Sequence, residues 1–325
     1  MSTIIEVKNL SKRYKSYERG SSFLDVTKSL FFRNSLYVDA VRDISFNVDE
    51  GEILGLIGPN GAGKSTTLKI LTGIMYPTSG SVNIMNFTPW ENRKHYVKNI
   101  GAVFGQKSQL MWDIPPIDAF LLNKSIYDIP KIRFNTILEE MLDLLSIEAI
   151  IKKPTRQLSL GERMKCEFVM AMLHNPKIVF LDEPTIGLDV IAKDKIRLFI
   201  QKMNSKGITF ILTTHDIGDI ESLAQRVVII NHGEIVFDDS ISALKGKTEN
   251  RRSIILTVQR PFDFVNIEGV EECTFKTNLE GEFFINTDII SIADFIAYMN
   301  NLNGISDVVV AQQPIEKVIK ELYIL

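Results

Sequence analysis

The run Gly58-Pro59-Asn60-Gly61-Ala62-Gly63-Lys64-Ser65 combines glycines, a lysine and a hydroxyl at the spacing GxxxxGK[ST]. Those residue types in that order suit one task, holding phosphate. Glycines let backbone N–H groups turn inward and approach an anion closely. A helix starting at the end of the loop adds partial positive charge. Lys64 supplies a mobile cation for the β- and γ-phosphates, and the Ser65 hydroxyl can ligate Mg2+. Farther along, Asp182 and Glu183 end the apolar run 178–181. Asp182 suits the Mg2+ shell through water, and Glu183 suits polarising a water that attacks the terminal phosphate. Guanine specificity is disfavoured, because Asn123-Lys124-Ser125-Ile126 lacks the aspartate of an NKxD element.

These groups need strands that end, and helices that begin, at one edge of a sheet. Residues 4–10 alternate and are rich in β-branched side chains, so they read as a strand. A polar stretch occupies 15–37, followed by a strand near 41–48 and the turn Asp49-Glu50-Gly51. The apolar strand 53–57 runs into the glycine loop, and a helix begins near Lys64. A short strand covers 101–104. Residues 107–170 lack strong strand signals, and 132–147 repeat apolar residues at helical spacing up to the turn Lys152-Lys153-Pro154. Then come strand 178–181, helix 191–204, strands 208–212 and 227–230, the turn Asn231-His232-Gly233 and strand 234–237. Apolar strands alternating with helices imply an α/β fold with a mostly parallel sheet covered on both faces. A polar linker at 246–252 leads into strands 253–259, 270–276, 282–286 and 305–311, with helices 290–302 and 314–323. The expected division is a domain 1–245, with a helical insert at about 107–170, and a small α+β domain 246–325.

Hydrophobic residues make up 45% of the 325 and charged residues 24%, with a formal net charge of −3. That balance supports a sizeable core and argues against a dedicated nucleic-acid binder. Cys166 and Cys273 lack metal-ligand spacing and read as two reduced thiols. The N-terminus shows no secretory h-region, and no apolar run reaches the roughly 18 residues that span a bilayer. If the protein serves a membrane, the spanning part is expected on another chain.

Further motifs occur in a fixed order. Leu158-Ser159-Leu160-Gly161-Glu162 is similar to the signature LSGGQ, departing at 160 and 162, and stands shortly before Leu181-Asp182-Glu183-Pro184-Thr185. Gln106 follows the strand 101–104. Gly187-Leu188-Asp189 follows the acidic pair, and His215 stands in Thr213-Thr214-His215-Asp216. Tyr14 follows Leu10-Ser11-Lys12-Arg13. On these motifs, about residues 1–240 resemble the ABC transporter ATPases. Sustained heptads that would mark a chromosome ATPase are missing from 107–170.

The resemblance implies a P-loop, RecA-like core with an antiparallel β edge, using ATP and Mg2+. It implies that Glu183, His215 and Gln106 are catalytic, with Ser65, Gln106 and Asp182 toward the metal. Tyr14 would stack on adenine, while Gly58, Asn60, Gly61, Gly63, Lys64, Ser65 and Thr66 would contact the phosphates. Ser159, Gly161 and Asp189 would complete the site across a dimer seam, in a homodimer or with a related subunit. The partners implied are integral membrane permease subunits, which place the chain on the cytoplasmic face of the membrane as a peripheral subunit. Trp112, Pro115 and Pro116 lie where a permease coupling helix would dock, or pack as an ordinary loop. Phe23, Val26, Thr27, Leu30 and Phe31 suit a short amphipathic helix at a membrane or permease surface, or an insertion packed on its own domain. The C-terminal domain and the run ERMKCEF favour export of an unidentified cargo. An importer subunit and a non-transport ABC ATPase are the alternatives.

Overall fold

In the computed structural model, residues 2–17, 35–105, 108–262 and 267–324 are described. The chain divides into two compact units, Met1–Asp238 and Asp239–Leu325. Strands β1 (Thr3–Tyr17) and β2 (Ser35–Asp49) pair antiparallel from Thr3↔Asp49 to Tyr17↔Ser35. Pairing thus runs well into the polar stretch expected at 15–37. Ladder bonds use backbone groups, so an exposed ribbon needs no apolar alternation. Asn9 and Asp43 adopt positive φ at irregular points of this ribbon, and the Asn9 amide donates to Asp43 at 2.9 Å. The amphipathic reading of 21–33 lies outside the described residues, as does Gln106.

Next come β3 (Ile53–Ile57), the glycine loop, α1 (Lys64–Leu71) and β4 (Ser79–Ile84), which returns to pair antiparallel with β1. Sequence reading did not foresee β4. Only Val82 and Ile84 of Ser-Gly-Ser-Val-Asn-Ile are buried, so its apolar signal is two residues long.

The remaining strands of the core are β5 (Ile100–Phe104), β6 (Ile178–Asp182), β7 (Thr209–Thr213), β8 (Arg226–Asn231) and β9 (Glu234–Ser240). Together with β3 they form a six-stranded sheet in the order β5-β6-β7-β3-β8-β9. The pairs β5–β6, β6–β7, β7–β3 and β3–β8 are parallel. Every residue of β3 and β7 is buried, as a central parallel strand with both faces covered requires. Register decides the chemistry, since Asp182 pairs with Thr213 and Thr213 with Leu56. Strands β6, β7 and β3 therefore finish at one level, and their following loops share one edge. Ligands bind open α/β sheets at that edge.

Between β5 and β6 run α2 (Pro116–Ile126), α3 (Lys131–Leu145) and α4 (Leu160–Met172). Phe134, Leu138, Met141, Leu142 and Leu145 are the buried stripe of α3, at i, i+4, i+7, i+8 and i+11. Pro116 opens α2 at its first turn, where a missing N–H costs nothing. Helices α5 (Val190–Asn204) and α6 (Ile217–Leu223) follow β6 and β7.

The second unit carries α7 (Ile241–Gly246), β10 (Arg251–Val258), β11 (Val270–Thr277), β12 (Glu280–Asn286), α8 (Ile292–Asn303), β13 (Ile305–Gln312) and α9 (Ile315–Ile324). Its antiparallel sheet has the order β11-β12-β10-β13. Ile254, Leu256, Val258, Phe283 and Ile285 of the sheet bury Phe295 and Met299 of α8.

Candidate active site

A cavity of about 600 Å3 opens at the C-terminal edge of the parallel sheet. Its walls are the loop 58–66 with Ala40 on one side and Glu183, Ile186 and His215 on the other. The loop has its shape because of its glycines. Gly61 and Gly63 hold φ of 83° and 111°, which L side chains rarely adopt. A Cβ at Gly63 would stand 2.3 Å from Ala40 O, and one at Gly58 would stand 2.2 Å from Ile230 O. The chain can follow this path only without those side chains.

Lys64 begins α1 with 6% of its surface exposed, and its ammonium donates to Gly58 O at 2.6 Å and Pro59 O at 3.0 Å. Burial lowers its pKa, opposed by the charges of Glu183 and Asp182. Ser65 Oγ donates to Asp182 Oδ1 at 2.9 Å, and Thr213 Oγ1 donates to the same oxygen at 2.7 Å. Thr213 also holds the next residue, since the Glu183 N–H donates to its carbonyl at 3.0 Å and lies 3.2 Å from its hydroxyl. Glu183 sits at φ 53°, a left-handed turn that carries its carboxylate off the strand line and into the cavity wall. Gly105 packs against this turn, where a Cβ would meet Glu183 O at 2.2 Å. His215 Nδ1 is 2.7 Å from Glu183 Oε2.

Lys64, Ser65, Asp182, Glu183 and His215 thus converge, and Gly58, Asn60, Gly61, Gly63 and Thr66 line the same cavity. Tyr14 stands beside it, with 36% of its surface exposed. Its hydroxyl reaches Met75 Sδ at 3.0 Å and Thr66 Oγ1 at 3.5 Å. Ser159, Gly161 and Asp189 do not line this cavity. Ser159 caps α4 in a capping box, with Glu162 N to Ser159 Oγ at 3.2 Å and Ser159 N to Glu162 Oε2 at 2.8 Å. That geometry explains what an acidic residue does at position 162 of this sequence. Asp189 caps α5 through Ala192 N at 2.8 Å. The two caps are neighbours, because a Cβ on Gly161 would lie 3.0 Å from Ala192 Cβ and one on Gly187 3.1 Å from Leu160 Cδ2.

Sequence reading missed Thr213, whose hydroxyl and carbonyl organise both carboxylate residues. The signal was present as two threonines directly before His215. It also missed Glu167, 4% exposed on α4, whose Oε1 accepts from Ser108 Oγ at 2.5 Å, Gln109 N at 2.9 Å and Leu110 N at 3.3 Å.

The family described as ABC transporter matches residues 41–186. The lantibiotic transport ATP-binding protein SrtF of Streptococcus pyogenes is 32% identical over 227 residues, 68% of this chain and 93% of that one. ABC transporter A family member 8 of Dictyostelium discoideum is 31% identical over 289 residues, and the chain spans only 34% of that longer protein. Among solved structures, a dimeric ATP-binding cassette bound to ADP and Pi superposes with a TM-score of 0.61 at 26% identity, covering 73% of this chain and 98% of that one. The phosphate-holding loop, the paired carboxylates and these likenesses converge: the chain belongs to the ABC transporter family, as an ATP-binding subunit that hydrolyses ATP.

Proposed function

We propose that two copies of this chain, or one copy and a related subunit, close around two ATP molecules and drive export through separate membrane subunits. One observation carries the pairing. The phosphate loop, Glu183 and His215 line one cavity, with Asp182 bonded to Ser65 of that loop, while Ser159, Gly161 and Asp189 sit outside it. Ser159 and Asp189 lie at the exposed starts of two helices, whose free N–H groups and partial positive charge suit a phosphate held by another subunit. A site whose donors lie on different surfaces of one chain is completed by a two-fold partner.

Within each half, Lys64 would hold the β- and γ-phosphates and Tyr14 would stack on the base. Glu183 would take the proton from the water whose oxygen attacks the γ-phosphorus, as the bridging electron pair leaves with ADP. His215 would contact the γ-phosphate and register its loss. The residues present fit Mg2+. Ser65 Oγ and Asp182 Oδ1, 2.9 Å apart, are hard oxygen donors beside the phosphate loop, and this ion is usually held by one or two carboxylates plus phosphate oxygens and water. It would neutralise charge developing on the transferred phosphate.

Among the described residues no helix is long and apolar enough to cross a membrane. A peripheral position on the cytoplasmic face, docked to the membrane subunits, follows from the proposal. Export is favoured by the C-terminal unit, and a relative is named for lantibiotic transport.

The test is ATP turnover against protein concentration. Pairing predicts a rate per subunit that falls on dilution. It also predicts that Ser159→Arg blocks hydrolysis while the single subunit still binds nucleotide. A rate per subunit that holds down to dissociated monomers overturns the pairing. Transport into vesicles carrying the membrane partner decides direction.

A further inference from the structure

Behind the cavity lies a second carboxylate that no motif accounts for. Asp219, in α6, is fully buried, yet each of its oxygens is engaged. Oδ1 accepts from Arg197 of α5, Nε at 2.8 Å and a terminal guanidinium nitrogen at 2.7 Å. Oδ2 accepts from the buried Thr185 hydroxyl and lies 3.4 Å from the Thr214 hydroxyl. Thr214 Oγ1 in turn accepts the Asp216 N–H at 2.9 Å. Asp216 is paired with Lys193 of α5, and Arg197 lies 4.0 Å from it. Burial by itself would lower the pKa of Arg197, but the hydrogen bond and charge of Asp219 reverse that and keep it cationic.

The placement of these partners is informative. Thr185 is two residues beyond Glu183, Thr214 and Asp216 flank His215, and Arg197 belongs to the helix that Asp189 caps. One buried anion therefore ties together the three segments that carry Glu183, His215 and Asp189. A surface ion pair could drift, whereas a desolvated carboxylate with several donors has one geometry it can afford.

We infer that Asp219, clamped by Arg197, is a positioning residue for ATP hydrolysis: it sets His215 against Glu183 and holds the Asp189 helix in register with both. This rests on the proposed roles of Glu183 and His215. It differs from a plain folding role because the reacting groups respond to placement, and misplacement on the order of 1 Å can cost about 100-fold in rate.

The experiment compares Asp219→Asn, Thr214→Val and His215→Ala in the full chain, reading kcat and KM for Mg-ATP hydrolysis and the imidazole 15N spectrum. The chain has four histidines, so the His215 ring is readily assigned by loss of its signal in His215→Ala. Asp219→Asn and Thr214→Val are expected to lower kcat on the order of 10- to 100-fold with KM within about twofold, and to move the His215 Nδ1 resonance while the other rings stay in place. Thr214→Val removes one hydroxyl and no charge, so it carries the test if Asp219→Asn does not fold. An unmoved His215 resonance with kcat within about twofold of the parent overturns the inference. So does a loss carried by KM rather than kcat. If His215→Ala itself keeps full turnover, the proposed role of His215 fails instead.

Discussion

His215 Nδ1 and Glu183 Oε2 stand 2.7 Å apart although 32 positions separate the two residues in the chain. With an ionised carboxylate as the acceptor, the tautomer that makes this bond carries its hydrogen on Nδ1. That leaves Nε2 for the cavity that both side chains line. The two differ in environment, with 15% of the Glu183 side chain exposed and 60% of His215. A shielded carboxylate beside an accessible ring fits the proposed division, in which Glu183 abstracts a proton and His215 senses the phosphate.

Glu183→Gln keeps shape and hydrogen-bonding capacity but cannot take a proton. Hydrolysis is expected to fall about 10²- to 10⁴-fold while ATP affinity changes little. Single-turnover hydrolysis and equilibrium nucleotide binding, measured on the same preparation, check this. Preserved steady-state turnover would remove Glu183 as the catalytic carboxylate.

Two alanine substitutions in the phosphate loop should differ in severity. Gly61 has open space around an added Cβ, so Gly61→Ala costs only the left-handed backbone, about 1–2 kcal/mol. Gly63→Ala adds a 2.3 Å approach to Ala40 O, which forces the loop to shift. Denaturant midpoints should rank them in that order, and nucleotide binding should be lost chiefly in Gly63→Ala.

Removing the signature cap separates stability from pairing. Ser159→Ala loses the acceptor for Glu162 N, worth about 1 kcal/mol, which lowers the melting temperature of a domain this size by roughly 2–4 °C. Hydrolysis should fall much further than that modest loss explains. Nucleotide binding by the single subunit should persist.

The Glu167 carboxyl is pushed above the ordinary glutamate range by burial, opposed by its bonds from Ser108, Leu110 and Gln109 and by the charge of Arg163. A raised folded-state pKa means the folded chain binds the proton more tightly than the unfolded one. Its favourable contribution is complete below the unfolded pKa and is lost as pH rises through the folded value. Glu167→Gln stays neutral throughout and can still accept the three donors. It should therefore melt higher than the parent above neutral pH, with the difference shrinking as pH falls toward the ordinary carboxylate range. A difference independent of pH would show that the charge of Glu167 does not matter.

By itself the sequence determined every local feature that rests on a short run of residue types. The apolar runs 53–57 and 178–181, the helical stripe of α3, the glycine loop before α1 and the carboxylates after 178–181 were legible because period, burial and turn chemistry act over a few neighbours. The alternation of strands and helices likewise specified a mostly parallel sheet. Tertiary structure alone decided register. Asp182 meets Thr213, and Thr213 meets Leu56, only because β6, β7 and β3 are paired as they are. That pairing puts the Ser65 and Thr213 hydroxyls on one Asp182 oxygen, and Asp219 against Thr185, Thr214 and Arg197. The weakly apolar β4 and the polar reach of β1 were equally illegible. Backbone ladders leave no side-chain signature, and contacts between distant segments depend on how the chain closes rather than on what stands next in line.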